Sequence, residues 1–458
     1  MKSILNIILL VAFTLTITGV NASNNLEVAS PPDSSSTIID KTAALFLIDE
    51  GKKFYNQGKS VDALRKFREA YVRDEYSYRA AYWIGKAHYN MDNYGYALKY
   101  AKIAEALSEA ADGEVFLLLG EAYHRQSLLD SARMNYDLAK IQLSSAKRTA
   151  FKIDQKIEEI SYAQSVADKE VKYEKQLLGS EVNSGYDDYS PVIADSGKSL
   201  FFVSRRPDTR GGKINPDDQR YFEDIYRAEW IDSLNEWGST TNDVERLNSE
   251  GFDAVGHILE DGSEMYLTVN TSVVDIKKQT RSSDICVSRS TKQDRWSTPK
   301  PIKNKTINTS YFDGAPTLSG DGNIMYFVSD RNGEKSLSDI FVVYREGNNW
   351  GEAKPLPMTV NTEGNETTPY ITPDNRYLFF SSDGRKGMGG YDVYVTENLG
   401  DTWSEPKNLG PDFNTVNNDT HFKYYKELKR AYIATYRLQG SKASVDIFDL
   451  NLKGWKIP

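Results

Sequence analysis

Internal repetition restricts the fold of this chain more than any other feature of its 458 residues. Two repeat lengths follow one another, the first near 34 residues and the second near 55 residues. Repeats of this size fold as supersecondary modules, and each module buries its hydrophobic face only by stacking on the next. We therefore predict an α+β multidomain protein in which an N-terminal helical array is followed by an all-β array.

The shorter repeat is marked by Gly51, Gly85 and Gly120, which lie 34 and 35 residues apart. Aromatic or small residues recur at constant distances after each glycine: Phe54, His88 and Tyr123, then Ala63, Ala97 and Ala132, then Phe67, Ala101 and Tyr136. This pattern resembles the tetratricopeptide repeat over residues 44–144. The resemblance implies an α-solenoid over residues 42–167, with three helical pairs and a polar capping helix over residues 145–167.

In the tetratricopeptide repeat family, the first helix of each pair lines a concave groove. The resemblance places nine residues on that face, namely Lys52, Tyr55, Asn56, Tyr82, Lys86, Tyr89, Asn90, Glu121 and His124. Tyrosines with lysine and amide neighbours suit an extended or helical peptide segment. The alternative interpretation is that these tyrosines pack against the following domain, because aromatic residues at helical spacing often serve packing.

From Val171 onward, short apolar segments alternate with turn residues, which is typical of β-structure. Five copies of one unit carry an aspartate at a strand start and a tryptophan near the end: Asp224 and Trp237, Asp284 and Trp296, Asp339 and Trp350, Asp392 and Trp403, Asp446 and Trp455. Four strands in about 50 residues is the size of one propeller blade. We predict a β-propeller of five blades over residues 168–458. A sixth blade would require a repeat that the sequence does not display.

The ends of the β-region predict how the propeller closes. Residues 171–178 match the segment that follows the tryptophan in other units, such as residues 404–409. The last unit reaches Pro458 where this segment is due. We expect residues 171–178 to complete the last blade, because closing the ring removes exposed strand edges.

Residues 387–394, with the sequence Gly-Met-Gly-Gly-Tyr-Asp-Val-Tyr, and the Asn-Thr pairs at Asn308 and Asn361 resemble TolB-type, WD40-like propellers of the Bacteroidetes cell envelope. In that group a signal peptide, tetratricopeptide repeats and this propeller occur in one protein. Some relatives serve type IX secretion and end in an OmpA-like domain. The resemblance implies an interaction scaffold of the periplasm or outer membrane, whose partners are envelope proteins or peptide segments.

The sequence carries no motif for catalysis, for a metal or for a cofactor, so we predict a non-enzymatic protein without a cofactor. The strand-start aspartates recur in every unit, as expected for groups that stabilise turns. Cys286, the one cysteine, lies in an apolar segment, where we expect it to be buried. The alternative is a sialidase-like glycoside hydrolase or glycan-binding protein, because residues 396–403 resemble the Asp-box turn, with Asn398 at its acidic position.

Charged residues follow the aromatic strand in three of the five units. They are Arg205, Arg206, Asp330, Arg331, Asp383 and Arg385. If these loops converge on one face, they form a polar site for a second protein. The alternative is a solvated rim of local ion pairs, each worth about 0–1 kcal/mol.

The N-terminus has the features of a secretory signal peptide. Lys2 precedes an apolar run, and Val20, Asn21 and Ala22 stand where signal peptidase cuts, so we predict a signal peptide over residues 1–22. Residues 23–41 are rich in Ser, Pro, Asn and Asp and predict a flexible linker. We expect no membrane span after cleavage. The net charge of −9 disfavours nucleic acid as a partner, and the oligomeric state stays open.

We expect the exported chain to begin at Ser23, because a small residue precedes the bond that signal peptidase hydrolyses. N-terminal sequencing of the protein purified from an envelope fraction measures this directly. A chain that retains Met1 would contradict the prediction and would indicate an uncleaved anchor.

Overall fold

Helices form the N-terminal part of the chain and strands form the remainder. The computed structural model describes residues 36–108, 112–215, 218–244, 246–270, 282–291, 295–332 and 337–458. The predicted signal peptide over residues 1–22, and the predicted linker as far as residue 35, lie outside this description. Residues 36–458 make one compact unit, so the helical arm and the propeller belong together.

The helical arm contains the three predicted helical pairs and a helical cap. Its helices are α1 Ile38–Asn56, α2 Ser60–Arg73, α3 Tyr78–Asn90, α4 Tyr94–Leu107, α5 Gly113–His124, α6 Leu129–Gln142, α7 Ser145–Ala150 and α8 Ile153–Ala167. The repeated glycines mark the closest approach within a pair. A Cβ atom at Gly51 or Gly120 would overlap the ring of Phe67 or Tyr136 from the second helix. The α-solenoid prediction is confirmed.

The arm differs from the sequence prediction at both ends. Helix α1 begins at Ile38 rather than at residue 42, because the Thr37 side chain accepts a hydrogen bond from the Asp40 amide at 3.1 Å and caps the helix. The C-terminal cap is two helices rather than one. Lys152 has a left-handed conformation with φ of 51°, which separates α7 from α8.

Strands β2 to β22 form five antiparallel blades in chain order. Blade 1 contains β2 Asp188–Ala194, β3 Ser199–Ser204, β4 Asp224–Ile231 and β5 Glu236–Trp237. Blade 2 contains β6 Phe252–Ile258, β7 Glu264–Asn270, β8 Asp284–Thr291, β9 Arg295–Trp296 and β10 Lys300–Pro301. Blade 3 contains β11 Asp313–Leu318, β12 Ile324–Ser329, β13 Asp339–Glu346, β14 Asn349–Trp350 and β15 Lys354–Pro355. Blade 4 contains β16 Glu366–Ile371, β17 Tyr377–Ser382, β18 Asp392–Glu397 and β19 Lys407–Asn408. Blade 5 contains β20 Asp419–Tyr425, β21 Arg430–Gln439 and β22 Lys442–Asn451.

The first strand of the β-region closes the ring. Strand β1, Lys175–Leu177, pairs antiparallel with β22, with Lys175 opposite Leu450. The innermost strands contact one another in order from β2 to β20, and β20 contacts β2. The five-bladed, closed propeller is confirmed, and the prediction for residues 171–178 is confirmed with it.

The predicted turn chemistry is also observed. Gly262, Gly322 and Asn375 occupy the hairpins before the aromatic strands with φ of 67°, 68° and 57°, a conformation that glycine and asparagine tolerate. The strand-start aspartates bind locally, since Asp224 accepts the Arg210 amide at 2.6 Å and Asp392 accepts the Met388 amide at 2.7 Å.

An asparagine joins each blade to the segment that leads to the next one. In one example the Asn361 side chain accepts from the Ile340 amide at 2.9 Å and donates to the Ile340 carbonyl oxygen at 3.0 Å. The same pair of bonds recurs at the five equivalent positions, Asn183, Asn248, Asn308, Asn361 and Asn414. These side chains satisfy buried backbone amides, and Asn361 adds a second donor to the Ile340 carbonyl oxygen, which also accepts from the Leu356 amide at 2.8 Å.

We expect Asn361→Ala to lower the free energy of unfolding of the propeller by about 1–3 kcal/mol, because it leaves the buried Ile340 amide without a partner, whereas the Ile340 carbonyl oxygen still accepts from the Leu356 amide. Urea unfolding followed by tryptophan fluorescence reports on the propeller, since six of the seven tryptophans lie in it. Asn348→Ala, in an exposed turn, is the matched control and should stay within about 0.5 kcal/mol of the wild type. Equal effects of both substitutions would contradict this role.

Candidate functional site

The helical arm contacts the propeller through the turns that join the two helices of a pair. These turns lie on the face of the propeller that carries the loops between the second and third strands of each blade. Asp92, in the turn between α3 and α4, accepts a hydrogen bond from the Ala443 amide at 2.8 Å through its carbonyl oxygen. Its carboxylate pairs with Arg220 at 2.5 Å, and Arg220 also pairs with Asp187 at 2.7 Å. One arginine therefore links the arm to two loops of the propeller.

Gly95, at the start of α4, makes the closest backbone approach in this contact. Its amide donates to the Ser441 carbonyl oxygen at 3.0 Å. A Cβ atom on Gly95 would lie 2.8 Å from the Cβ of Ser441. The arm can rest on the loop between β21 and β22 only because this position has no side chain.

The last turn of α5 makes a second contact, with loops of blades 4 and 5. His124 hydrogen-bonds with the Met388 carbonyl oxygen at 2.9 Å, and Arg125 donates to the Val416 carbonyl oxygen at 2.9 Å. Gly389, with φ of 133°, leaves room for the His124 ring, which a Cβ would approach to 2.6 Å. The glycine pair in residues 387–394 thus accommodates the arm.

The hydrogen bonds of His124 fix its protonation state. Because a carbonyl oxygen only accepts, Nε2 carries the proton and donates to Met388, and Nδ1 accepts from the Tyr136 hydroxyl at 3.4 Å. Burial, together with the neighbouring Arg125, lowers the pKa of His124 to about 3. The joint between arm and propeller therefore holds a neutral imidazole.

Helix α8 completes the joint. Gln155 donates to the Asp383 carbonyl oxygen at 2.8 Å. Ala163 and Val166 form a buried apolar cluster with Met388 and Val416. The helix that ends the solenoid therefore has a second role, because it also packs against the propeller.

The nine predicted groove residues lie on the first helices of the pairs, but they divide into three groups. Lys52, Tyr55 and Tyr82 surround Trp83, with ring-centre distances of 5.3 Å from Tyr55 and 5.4 Å from Tyr82. The Lys52 ammonium lies 5.4 Å from the Trp83 ring. Sequence analysis missed Trp83, although its place next to Tyr82 was a visible signal.

Lys86 and Glu121 form the second group, a ladder of charges across three helices. Glu121 pairs with Lys86 on α3 at 3.1 Å and with Lys156 on α8 at 3.1 Å. Burial raises the pKa of Glu121, but the two lysines outweigh it and hold this pKa at about 2. Glu121 is therefore ionised and fully paired inside the protein.

The third group lies at or near the propeller. Tyr89 accepts a hydrogen bond from Arg125 at 3.4 Å, and His124 contacts Met388. Asn90 hydrogen-bonds with Tyr55, and Asn56 is exposed at the end of α1. Of the predicted groove, the half-buried residues around Trp83 and the exposed Asn56 and Asn90 remain accessible to solvent. Tyr89 and His124 serve the joint instead, in line with the alternative that part of this set packs against the propeller.

The six charged residues predicted on the propeller face form no shared site. Arg206 binds Asp188 and the Val182 carbonyl oxygen, and Arg331 binds Asp313 and the Ile307 carbonyl oxygen, each inside its own blade. The others bind equally locally: Arg205 to Asp218, Asp330 to the Phe312 amide, Asp383 to the Asn365 amide and Arg385 to the Val360 carbonyl oxygen. Sequence analysis could not foresee this, because the partners are mostly backbone groups.

The centre of the propeller contains a channel of about 650 Å³. Aromatic and polar side chains line it, namely Tyr189, Phe252, Asn270, Phe312, His421 and Lys423, and Gln57 from the end of α1 reaches the same space. Four inner strands carry a non-glycine residue at positive φ, Ser190, Ala315, Thr368 and His421, where the strand pairing shifts register. The bulges form hydrogen bonds with neighbouring blades. For example, the Ala315 amide donates to the Thr268 hydroxyl at 2.8 Å.

A membrane-spanning helix, a metal site and a reactive cysteine were also sought in the part of the chain that the structure describes. No helix there is both long and apolar enough to cross a membrane. No three His, Cys, Asp or Glu side chains of the described residues are grouped as metal ligands. Cys286 is buried as expected, and burial raises the pKa of its thiol to about 12.

Comparison with known proteins finds likeness in fold. No family model matches the chain, and no curated protein matches it. The first tetratricopeptide repeat domain of Spaghetti (RPAP3) bound to an HSP90 peptide is 20% identical and covers 27% of this chain and 95% of its own, with a TM-score of 0.25. An α-L-arabinofuranosidase from Podospora anserina is 11% identical and covers 61% of this chain and 96% of its own, with a TM-score of 0.37. A sialidase from Trypanosoma rangeli is 12% identical and covers 62% of this chain and 58% of its own, with a TM-score of 0.34.

We expect acid to loosen the joint through His124. The unfolded chain takes up a proton there below pH 6.5 and the folded chain does not until about pH 3, so stability falls as pH decreases through this window. The loss approaches about 1.4 kcal/mol per pH unit below 6.5. Hydrogen exchange at residues 385–391 should rise between pH 7 and pH 5.5, after correction for the intrinsic rate.

The variant His124→Gln keeps a donor toward Met388 but cannot take up the proton, so its joint should open much less in acid. His88→Gln is the matched control, because His88 is also buried with a pKa lowered to about 4 but lies within the arm. An acid response that persists in His124→Gln and disappears in His88→Gln would contradict the assignment.

Proposed function

We propose that this chain is an exported, non-enzymatic interaction scaffold whose helical arm binds an extended or helical segment of another envelope protein. The observation that carries this proposal is the arrangement around Trp83. There Lys52, Tyr55 and Tyr82 form a partly exposed aromatic and cationic face, while the other edge of the arm is fixed on the propeller.

The chemistry of this face suits a protein segment. Trp and Tyr rings provide a large contact area at low cost in side-chain entropy. Lys52 adds a cation that an acidic group or a carbonyl oxygen of the partner can meet. Because the arm is held by the joint through Asp92, Arg125 and Gln155, little backbone freedom would be lost on binding.

The N-terminal sequence and the resemblance to Bacteroidetes envelope proteins support a place in the periplasm or at the outer membrane. Within that compartment we propose a role in an outer-membrane-associated secretion or envelope assembly. The partners would be envelope proteins or peptide segments, with nucleic acid disfavoured by the net charge of −9.

A glycoside hydrolase is the alternative class that the sequence suggested. Such enzymes use two carboxyl groups, separated by about 5–9.5 Å, on either side of the sugar bond. The described lining of the channel contributes one, Glu223, which hydrogen-bonds with Tyr189. Among the described residues of the channel, the pair of carboxyl groups that this reaction needs is not assembled, so we do not propose a hydrolytic step.

The groove assignment is tested by Lys52→Glu combined with Tyr55→Ser. We expect these changes to reduce capture of the partner from native envelope extract at least tenfold, because they remove the cation and one ring from the partly exposed face around Trp83. Quantitative mass spectrometry after cross-linking measures the capture. Tyr82 and Tyr89 are less suitable, since their hydroxyls bond the charged side chains of Glu114 and Arg125, whereas the Tyr55 hydroxyl bonds the neutral and exposed Asn90.

The matched control is Lys99→Glu combined with Tyr96→Ser on α4, where a lysine also lies over a tyrosine ring, at 5.8 Å. This pair should leave capture unchanged. A partner that the wild type and both double variants retain equally would refute binding at the Trp83 face.

A further inference from the structure

Lys423 is a buried cation in the wall of the central channel. It lies on β20, is 7% exposed and lines the channel. Its ammonium group donates to the Gly256 carbonyl oxygen of β6. Among the described residues no carboxylate forms an ion pair with it, so two of its three hydrogens stay available toward the channel.

The fold itself does not require a charge at this position. The other four blades place Val192, His257, Thr317 and Tyr370 at the equivalent point of the inner strand, each opposite an aromatic residue of the second strand. An isolated buried ammonium is unfavourable unless it becomes neutral or meets an anion. Lys423 therefore departs from the other four blades, which carry an uncharged side chain at this position.

The groups around Lys423 cannot act as its counter-charge. Burial lowers the pKa of His421 on β20 and of His257 on β6 to about 3, with a further contribution from Lys423, so both rings are neutral. Tyr189 on β2 has its pKa raised by burial and is uncharged. Glu223, which also lines the channel, binds Tyr189 and interacts with Arg205 instead.

We propose that the channel binds a small carboxylate ligand with a hydroxylated body, of the sugar-acid type, and that Lys423 holds its carboxylate. One ammonium balances the charge of a monoanion, whereas a phosphate dianion would leave one negative charge unbalanced in the buried channel. Phe252 and Phe312 offer aromatic surface to the C–H faces of such a ligand. A space of about 650 Å³ suits a monosaccharide or disaccharide. This site is separate from the groove of the helical arm, and the proposal for the channel does not depend on partner binding by the arm.

Binding of this kind is coupled to a proton. Burial lowers the pKa of Lys423 to about 7, and a carboxylate binds the ammonium form. Affinity should therefore decrease as pH rises above 7, approaching tenfold per pH unit. His421 and His257 stay neutral across this range. Burial raises the pKa of Glu223, whose ionisation would also oppose an anion at higher pH, so a variant must separate the two groups.

Isothermal titration calorimetry of the mature chain with sodium glucuronate, galacturonate and gluconate tests the proposal. Glucose is the uncharged control ligand, and glucose 6-phosphate is the control ligand that carries a phosphate in place of the carboxylate. We expect at least one carboxylate to bind at pH 6.5, to bind at least fivefold more weakly at pH 8 and to bind at least tenfold more tightly than glucose. Absence of carboxylate-dependent binding, or tighter binding of glucose 6-phosphate, overturns the proposal.

Lys423→Met removes the charge and keeps the length of the side chain, so it should abolish carboxylate binding and leave the thermal unfolding temperature unchanged or higher. Lys423→Arg should retain binding and lose the pH dependence that Lys423 contributes. Lys426→Met, an exposed lysine on the following turn, is the control and should bind like the wild type. Wild-type affinity in Lys423→Met overturns the assignment, and the pH profile of the unmodified protein decides the question if that variant does not fold.

Discussion

The structure depends on one contact, the joint by which the helical arm rests on the loops of the propeller. Turns at Asp92 and at the end of α5 provide it, through backbone hydrogen bonds, the Arg220 ion pairs and the buried Arg125 guanidinium. Polar groups of this kind are costly to bury unpaired, so the loss of one partner weakens the whole joint. It fixes which part of the concave surface remains open, and it brings Gln57 to the central channel.

Within each module the repeated side chains are used for structure. The five asparagines and the arginines after the aromatic strands bind backbone groups of their own blades. Recognition is therefore left to positions where the copies differ. Trp83 in the arm, where the other two repeats have Asp49 and Leu118, and Lys423 in the propeller are such positions, and the two proposals rest on them.

Repetition in the sequence was sufficient to predict the arm, the five blades and the closure by residues 171–178, because each of these follows from contacts between like modules. The joint was not predictable in the same way. His124 and Met388 are 264 residues apart, and a contact between unlike modules leaves no periodic signal. Gly389 and Gly390 were the available sign, but blade 1 carries a glycine pair in the equivalent loop, Gly211 and Gly212, so this sign alone does not single out the joint. The linker boundary at residue 41 was missed because Thr37 and Asp40 form a cap inside a polar segment.

Hydrogen exchange at two amides of the intact chain tests the central claim most directly. Gly95 donates to Ser441, and Ala443 donates to Asp92, so both amides are protected only while the arm rests on the propeller. The account predicts that both exchange slowly and at similar rates, although one lies in a helix start and the other in a hairpin strand. Exchange as fast as at Gly347, in an exposed turn, would show that the arm and the propeller move independently and would contradict the account.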